Sequence, residues 1–279
     1  RAPSQPAQNR HAGHIQVLAT PLVADLGNIP LSDPDTIAPG EILINTYNFT
    51  DGGEPSGIGN NPAYFGVLRV LNAQDCSQME TIHDAEYPLI AAAPPAIGDL
   101  DGDGVPEIVA LTANTGLIAF RWNPATGAHE RYWVSEGSDI VGAYRWDGPA
   151  IHDLNDDGIA EVLSRGEVFD GTTGARVNVG QTGVTTNATT GSFAVAADFD
   201  GDGAIELVAN EIFRWDTATN LWVMAYPGPG VGAVAHALAD FGTPMPGGGF
   251  DGTSLDGIAE IVTLLTSQMQ VTTLDGTVV

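Results

Sequence analysis

The segment AIGDLDGDGVPEIVAL (96–111) sets four carboxylates, Asp99, Asp101, Asp103 and Glu107, within nine residues and then runs straight into an apolar, β-branched stretch. Two further segments repeat it, AIHDLNDDGIAEVL (150–163) and VAADFDGDGAIELV (195–208). Aligned on the first aspartate, all three read D-x-[DN]-x-D-G-x-x-E, which matches Asp99, Asp101, Asp103 and Glu107 to Asp153, Asn155, Asp157 and Glu161 and to Asp198, Asp200, Asp202 and Glu206. Looser copies flank them. Residues 237–262 keep Asp240 at the start and Asp256 and Glu260 at the end, around a Gly-rich insertion, and residues 22–43 keep Asp25 and Glu41 with Asp33 and Asp35 between. The starts at 25, 99, 153, 198 and 240 describe one unit with loops of variable length, and a fixed unit of this size is the mark of a repeat architecture.

Each unit has the same layout. An apolar strand leads into the acidic loop, a second strand follows at once (EILINTY, PEIVALT, AEVLSR, IELVAN, AEIVTLL), and a hairpin closes the unit. Turns carrying Asn-Pro, Asp-Gly or Thr-Gly mark those hairpins. Apolar residues come in short runs bounded by glycine and show no 3.6 period. The expectation is an all-β chain, a β-propeller of four-stranded blades with five repeats, over residues 19–279. A pair of β-sandwiches is the other β arrangement open to the pattern. Residues 1–18, polar and Pro-rich until HIQVLA, read as a linker or a strand that closes the ring, because a propeller must hide its edges. The sole cysteine, Cys76, is expected to be a buried small apolar residue, and it allows no intrachain disulfide.

The loop chemistry points to a hard cation. Ca²⁺ takes about six to eight oxygens at roughly 2.3–2.6 Å. Positions 1, 3, 5 and 9 of each loop supply carboxylate or amide oxygen, and the carbonyl at position 7, Val105, Ile159 or Ala204, adds another. Glycine at position 6 permits a left-handed backbone. No histidine or cysteine stands at a ligand position, so zinc and copper do not suit. An EF-hand loop begins alike but needs an acid at position 12, and that position holds Ala110, Ser164 and Ala209. The competing reading is a set of solvated acidic turns. The chain bears 35 Asp and Glu against 9 Lys and Arg, and all nine basic residues are arginine. Such a chain is not expected to bind nucleic acid, and no apolar run is long enough for membrane insertion.

Loops such as GDLDGDGVPEIV and ADFDGDGAIELV resemble the FG-GAP (VCBS-type) repeats of the integrin α-subunit β-propeller. Phe65-Gly66 and Phe241-Gly242 keep the Phe-Gly signature, while AAPPA and DGPA echo the Gly-Ala-Pro one. The resemblance implies Ca²⁺ bound through loop positions 1, 3, 5, 7 and 9, although position 9 here is Glu where Asp is usual. It also implies a secreted or cell-surface adhesion, binding or assembly module, with a protein or glycan partner or with self-association. No G-x-S-x-G, H-E-x-x-H or phosphate loop occurs, so no catalytic residue is expected. The alternative is a carbohydrate-active protein, a lectin or polysaccharide lyase. His152 and His236 lie near acidic loops, and Trp122, Trp133, Trp146, Trp215 and Trp222 recur near the hairpins, either to pack blade on blade or to stack on sugars.

Overall fold

A computed structural model describes residues 16–17, 19–27, 40–48, 65–113, 116–136, 147–181, 184, 195–209, 211–228, 233–251, 255–265 and 267–279. Among these the chain is all-β and antiparallel, with no helix, and no helix is therefore long and apolar enough to cross a membrane.

Five consecutive meanders follow one another. Unit one is β2 (Leu22–Ala24), β3 (Glu41–Tyr47), β4 (Phe65–Asn72) and β5 (Gln78–Ile82). Its inner edge is extended by β1 (Gln16–Val17), which pairs with β3 through Gln16↔Tyr47 and Val17↔Thr46. The two-residue β6 (Leu89–Ile90) bridges β4 to β8 and so joins units one and two into a single sheet. Unit two is β7 (Ala96–Gly98), β8 (Glu107–Thr112), β9 (Gly116–Asn123) and β10 (Ala128–Val134). Unit three is β11 (Ala150–His152), β12 (Glu161–Ser164) and β13 (Glu167–Asp170). Unit four is β14 (Val195–Ala197), β15 (Glu206–Val208), β16 (Ile212–Asp216) and β17 (Leu221–Tyr226). Unit five is β18 (Ala233–Ala239), β19 (Glu260–Leu265) and β20 (Met269–Thr272).

In units three and five the expected fourth strand shrinks to a single bridge, Phe169↔Arg176 and Thr272↔Val278. In unit three a side chain takes over part of the ladder: Asn178 Oδ1 accepts the Val168 N–H at 3.0 Å, next to the Val177 N–H to Val168 carbonyl bond at 2.8 Å.

Period-2 alternation explains how the sheets stack. Strands β8 and β9 are apolar on both faces. Ile108, Ala110, Ile118 and Phe120 pack with Leu43, Leu68 and Val70 of unit one. Val109, Leu111, Leu117 and Ala119 turn the other way and pack with Val162 and Phe169 of unit three. Leu163 and Val168 of unit three meet Leu207, Phe213, Trp215 and Trp222 of unit four, and Val208 and Ile212 of unit four meet Ile261 and Leu274 of unit five. Among the described residues each unit is thus glued face to face to the next, with the first strands β2, β7, β11 and β14 of successive units side by side.

Trp133, Trp215 and Trp222 are buried in these interfaces, and the indole Nε1 of Trp133 donates to the Gly171 carbonyl at 2.7 Å. These three indoles pack sheet on sheet, while Trp146 lies outside the described residues. Cys76 corrects the expectation of burial. It is exposed, in the turn between β4 and β5, with a left-handed φ of 58° and its N–H on the Asn72 carbonyl at 2.8 Å. Closing that turn takes precedence over hiding a small apolar side chain.

Candidate metal centres

Every acidic loop joins the first strand of a unit to its second. One contact recurs in all five. The glutamate that opens the second strand accepts the backbone N–H of the residue just after the loop's first aspartate: Glu41 from Leu26 (2.8 Å), Glu107 from Leu100 (2.9 Å), Glu161 from Leu154 (2.8 Å), Glu206 from Phe199 (2.9 Å) and Glu260 from Phe241 (2.9 Å). Each glutamate therefore pins the ends of its loop together. The residues so held, Leu26, Leu100, Leu154 and Phe199, plug the apolar cores, whereas Phe241 stays partly exposed. Burial pushes all five pinning glutamates above the ordinary carboxylate range, Glu107 to about 7, against the opposing effect of the N–H that each accepts.

The first aspartate clamps the loop from inside. Asp99 takes the N–H of Gly102 (2.8 Å) on one oxygen and of Gly104 (2.8 Å) on the other. Asp198 takes Gly201 (2.8 Å) and Gly203 (2.9 Å) in the same way, and Asp153 takes Asp157 (3.1 Å) and Gly158 (2.8 Å). Position 5 then accepts the N–H of position 7: Asp103 from Val105 and Asp157 from Ile159, both at 2.8 Å, and Asp202 from Ala204 at 3.0 Å. Glycine is needed at position 6 because the backbone is left-handed there, φ +85° at Gly104 and Gly158. The loops also crowd one another. A Cβ on Gly102 would lie 3.1 Å from the Gly158 carbonyl, and one on Gly27 would lie 3.0 Å from Val105. One end of the stack is consequently rich in carboxylates.

The fifth loop keeps this geometry across its insertion. Asp240 accepts Gly242 on one oxygen and Gly257 on the other, both at 2.8 Å, and Asp256 accepts Ile258 at 3.1 Å. Asp256, Gly257 and Ile258 therefore stand where Asp103, Gly104 and Val105 stand in the second loop. In the first loop Asp25 accepts Gly27 (2.9 Å), and the expected ligands Asp33 and Asp35 lie outside the described residues.

Ligand oxygens converge in two loops. Single oxygens of Asp99, Asp101 and Glu107 lie within 4.8 Å of one another, and so do those of Asp198, Asp200 and Glu206. Glu107 is fully buried, and its Oε1 accepts no hydrogen bond. In the third loop Asn155 replaces an acid, leaving Asp153, Asp157 and Glu161. An all-oxygen donor set with an unsatisfied buried carboxylate oxygen fits a hard divalent cation such as Ca²⁺.

Two arginines, absent from the expected site, stand among these oxygens. Arg121 Nη2 contacts Asp101 (2.6 Å) and Asp103 (2.7 Å), with its Nε 3.7 Å from Glu107 Oε1. Arg214 contacts Asp200 (3.1 Å), Asp202 and Glu206 (3.0 Å). A tyrosine accompanies each: the Tyr132 hydroxyl donates to Asp101 (3.3 Å) and the Tyr226 hydroxyl to Asp200 (2.7 Å). The N–H of Val105 and then Arg121 hold Asp103 below the usual carboxylate range, and the N–H of Ala204 leads the same effect on Asp202. The doubled FRW at 120–122 and 213–215 was the sequence signal for these arginines.

Neither histidine near a loop meets a carboxylate hydrogen bond. His152 is held below its ordinary pKa by burial. Burial also lowers His236, to about 4, and its Nδ1 lies 3.2 Å from Thr263 Oγ1.

The model of the FG-GAP-like repeat matches residues 99–164. Among curated proteins no sequence matches. The fold is similar to that of the biofilm matrix protein Bap1 of V. cholerae, at 20% identity and a TM-score of 0.63 over 96% of this chain and 40% of that one. It is also similar to the exotype rhamnogalacturonan lyase YesX (14% identity, TM-score 0.53, 93% of this chain and 45% of that one). The Bacillus licheniformis rhamnogalacturonan lyase PL11 is comparable, at 15% identity and a TM-score of 0.52 over the same shares. The chain spans less than half the length of each of these proteins. The second and third acidic loops lie inside the matched stretch, so this part of the chain is similar to an FG-GAP-like repeat.

Proposed function

We propose that the chain is a calcium-stabilised extracellular β-propeller of five blades, acting as a non-catalytic adhesion, binding or assembly module. The observation that carries this reading is the loop built five times over, with each glutamate pinning Asp-loop to strand and a buried Glu107 oxygen left unsatisfied. Residues 19–279 form the propeller and residues 1–18 lead into it. Asp99, Asp101, Asp103 and Glu107, with their counterparts in loops three and four, hold the ion, assisted by the carbonyls of Val105, Ile159 and Ala204; Asp25, Glu41, Asp240, Asp256 and Glu260 are secondary candidates. The ion cancels repulsion among carboxylates that the chain's 9 basic residues cannot neutralise. Extracellular Ca²⁺ modules bind at about 10⁻⁴–10⁻³ M, so such sites fill outside the cell and empty in cytosol. Likeness to a biofilm matrix protein supports a surface role in which the partner is a protein or glycan, or another copy of the chain.

Melting in millimolar Ca²⁺ against EDTA tests this. Millimolar Ca²⁺ stands at about one- to tenfold over such a Kd, so each filled site adds about 0.4–1.4 kcal/mol, and with several sites filled chelation is expected to lower the melting temperature by several degrees. An unchanged melting temperature refutes the calcium reading. Likeness to two rhamnogalacturonan lyases favours a second reading, a carbohydrate-active protein whose bound calcium bridges acidic sugar. Chain cleavage of rhamnogalacturonan by the purified protein would establish it, and none is expected.

A further inference from the structure

The residue opposite each pinning glutamate is set by strand register, and it differs among the units. Glu41 faces Asn72, Glu161 faces Asp170 and Glu206 faces Arg214. The ladder Ile108↔Phe120, continued by one residue, sets Glu107 opposite Arg121, and Ile261↔Thr272 likewise sets Glu260 opposite Thr273. Only at Arg121 and Arg214 does that position carry a cation, and both guanidiniums reach the same three loop positions, 3, 5 and 9. In unit three the equivalent Asp170 turns to its own hairpin, where Oδ1 accepts the hydroxyls and N–H groups of Thr172 and Thr173 at 2.7–3.0 Å. It adds negative charge beside Glu161.

We propose that Arg121 and Arg214 are tethered cations that occupy the second and fourth loops in place of a divalent ion and set the affinity of those loops by competition. The inference rests on the calcium reading above. The third loop, with Asp170 where the second and fourth have arginine, carries no such tethered cation. The second and fourth fill only as their guanidiniums swing away. Both arginines are about one-third exposed, at 37% of side-chain area, so water can receive them. Each loop is thus poised between two neutralised states, one internal and one ionic. The arrangement keeps the carboxylates from repelling one another when calcium is scarce, and it makes the protein's response to calcium graded, unit by unit.

The test compares wild type with Arg121→Gln and Arg214→Gln, by calorimetric Ca²⁺ titration and by Tb³⁺ luminescence excited through Tyr132 and Tyr226, whose hydroxyls sit on Asp101 and Asp200. Each substitution is expected to tighten binding at its own loop about tenfold, the scale of one partly screened charge pair. It should also lower the melting temperature in EDTA while enlarging the gain from calcium. A purely structural role would lower both melting temperatures equally. Arg121→Lys, which keeps the charge, should stay near wild type in calcium affinity and guards against a folding defect in the glutamine variant. Calcium binding to the variants no tighter than to wild type overturns this inference and leaves the calcium reading intact. Absence of calcium binding by wild type and variants alike overturns both.

Discussion

Units two and five are built on the same loop and differ in everything behind it. In unit two the second and third strands are buried on both faces, with Leu111 and Phe120 at 1% and 2% exposure, because sheets cover them from either side. In unit five the matching strands leave Leu264 at 48% and Met269 at 68%, and its shared core with unit four is small. The loop hydrogen bonds are nonetheless alike, Leu100 to Glu107 and Phe241 to Glu260, both at 2.9 Å. The pinned loop is therefore a local device that does not need a deep core behind it, and stability is distributed unevenly over units of equal design.

The largest way to sharpen this contrast is truncation of the core. Phe120→Ala should cost about 3–5 kcal/mol, since a fully packed aromatic leaves a cavity that its neighbours fill poorly. Leu264→Ala, half exposed, should cost less than about 0.5–1 kcal/mol. Chemical denaturation of the two variants reads the difference, and equal costs would mean that unit five buries more than its exposed strands indicate.

The next effect is smaller and should be nearly the same in both units. Glu107→Ala removes the acceptor of a buried Leu100 N–H and should cost about 1–3 kcal/mol in EDTA. Glu260→Ala frees the N–H of Phe241, which water can reach, and should cost toward the lower end of that range. Glutamine at either position keeps an acceptor and should recover most of the loss. A glutamine variant as unstable as the alanine variant would assign the effect to charge and not to the pin.

The loops and the strands that flank them were legible in the sequence because both depend on local spacing. Alternate acids, a glycine at position 6 and an apolar run three residues on are all readable within one window. In the interrupted copies at 25–41 and 240–260, Glu41 and Glu260 make the same pin as Glu107. The arginines carried a sequence signal in the doubled FRW, but their place in the loops was not legible. Arg121 lies fourteen residues after Glu107 and Arg214 only eight after Glu206, because the hairpins between β8 and β9 and between β15 and β16 start from strands of different length. Only the ladder register shows that the two positions are one. The bridging strand Leu89–Ile90 and the missing fourth strands of units three and five were hidden for a related reason. Pairing across sequence-distant segments, and a side chain such as Asn178 replacing a ladder bond, leave no periodic trace.

The smallest expected effect is on pH, and it runs opposite to the usual behaviour of paired carboxylates. The pinning glutamates have folded-state pKa values raised above the unfolded value near 4.5, Glu107 to about 7, so the folded apo chain binds protons more readily than the unfolded one. The contribution of Glu107 to stability is fully present below pH 4.5 and is lost as pH rises through about 7, and the other four act in the same direction. Asp103 and Asp202, held low, contribute a constant amount over that window and lose it only in stronger acid. In EDTA the melting temperature should therefore decline by a few degrees from pH 5 to pH 8. In calcium the trend should flatten or reverse, because the ion needs the deprotonated carboxylate and binds better as pH rises. Glu107→Gln should flatten the EDTA trend more than Glu260→Gln, since Glu107 is the more deeply buried within its unit's double core. A melting temperature in EDTA that climbs between pH 5 and pH 8 would show that the buried glutamates are already charged when the protein folds, which would require a cation, guanidinium or metal, in the loops from the start.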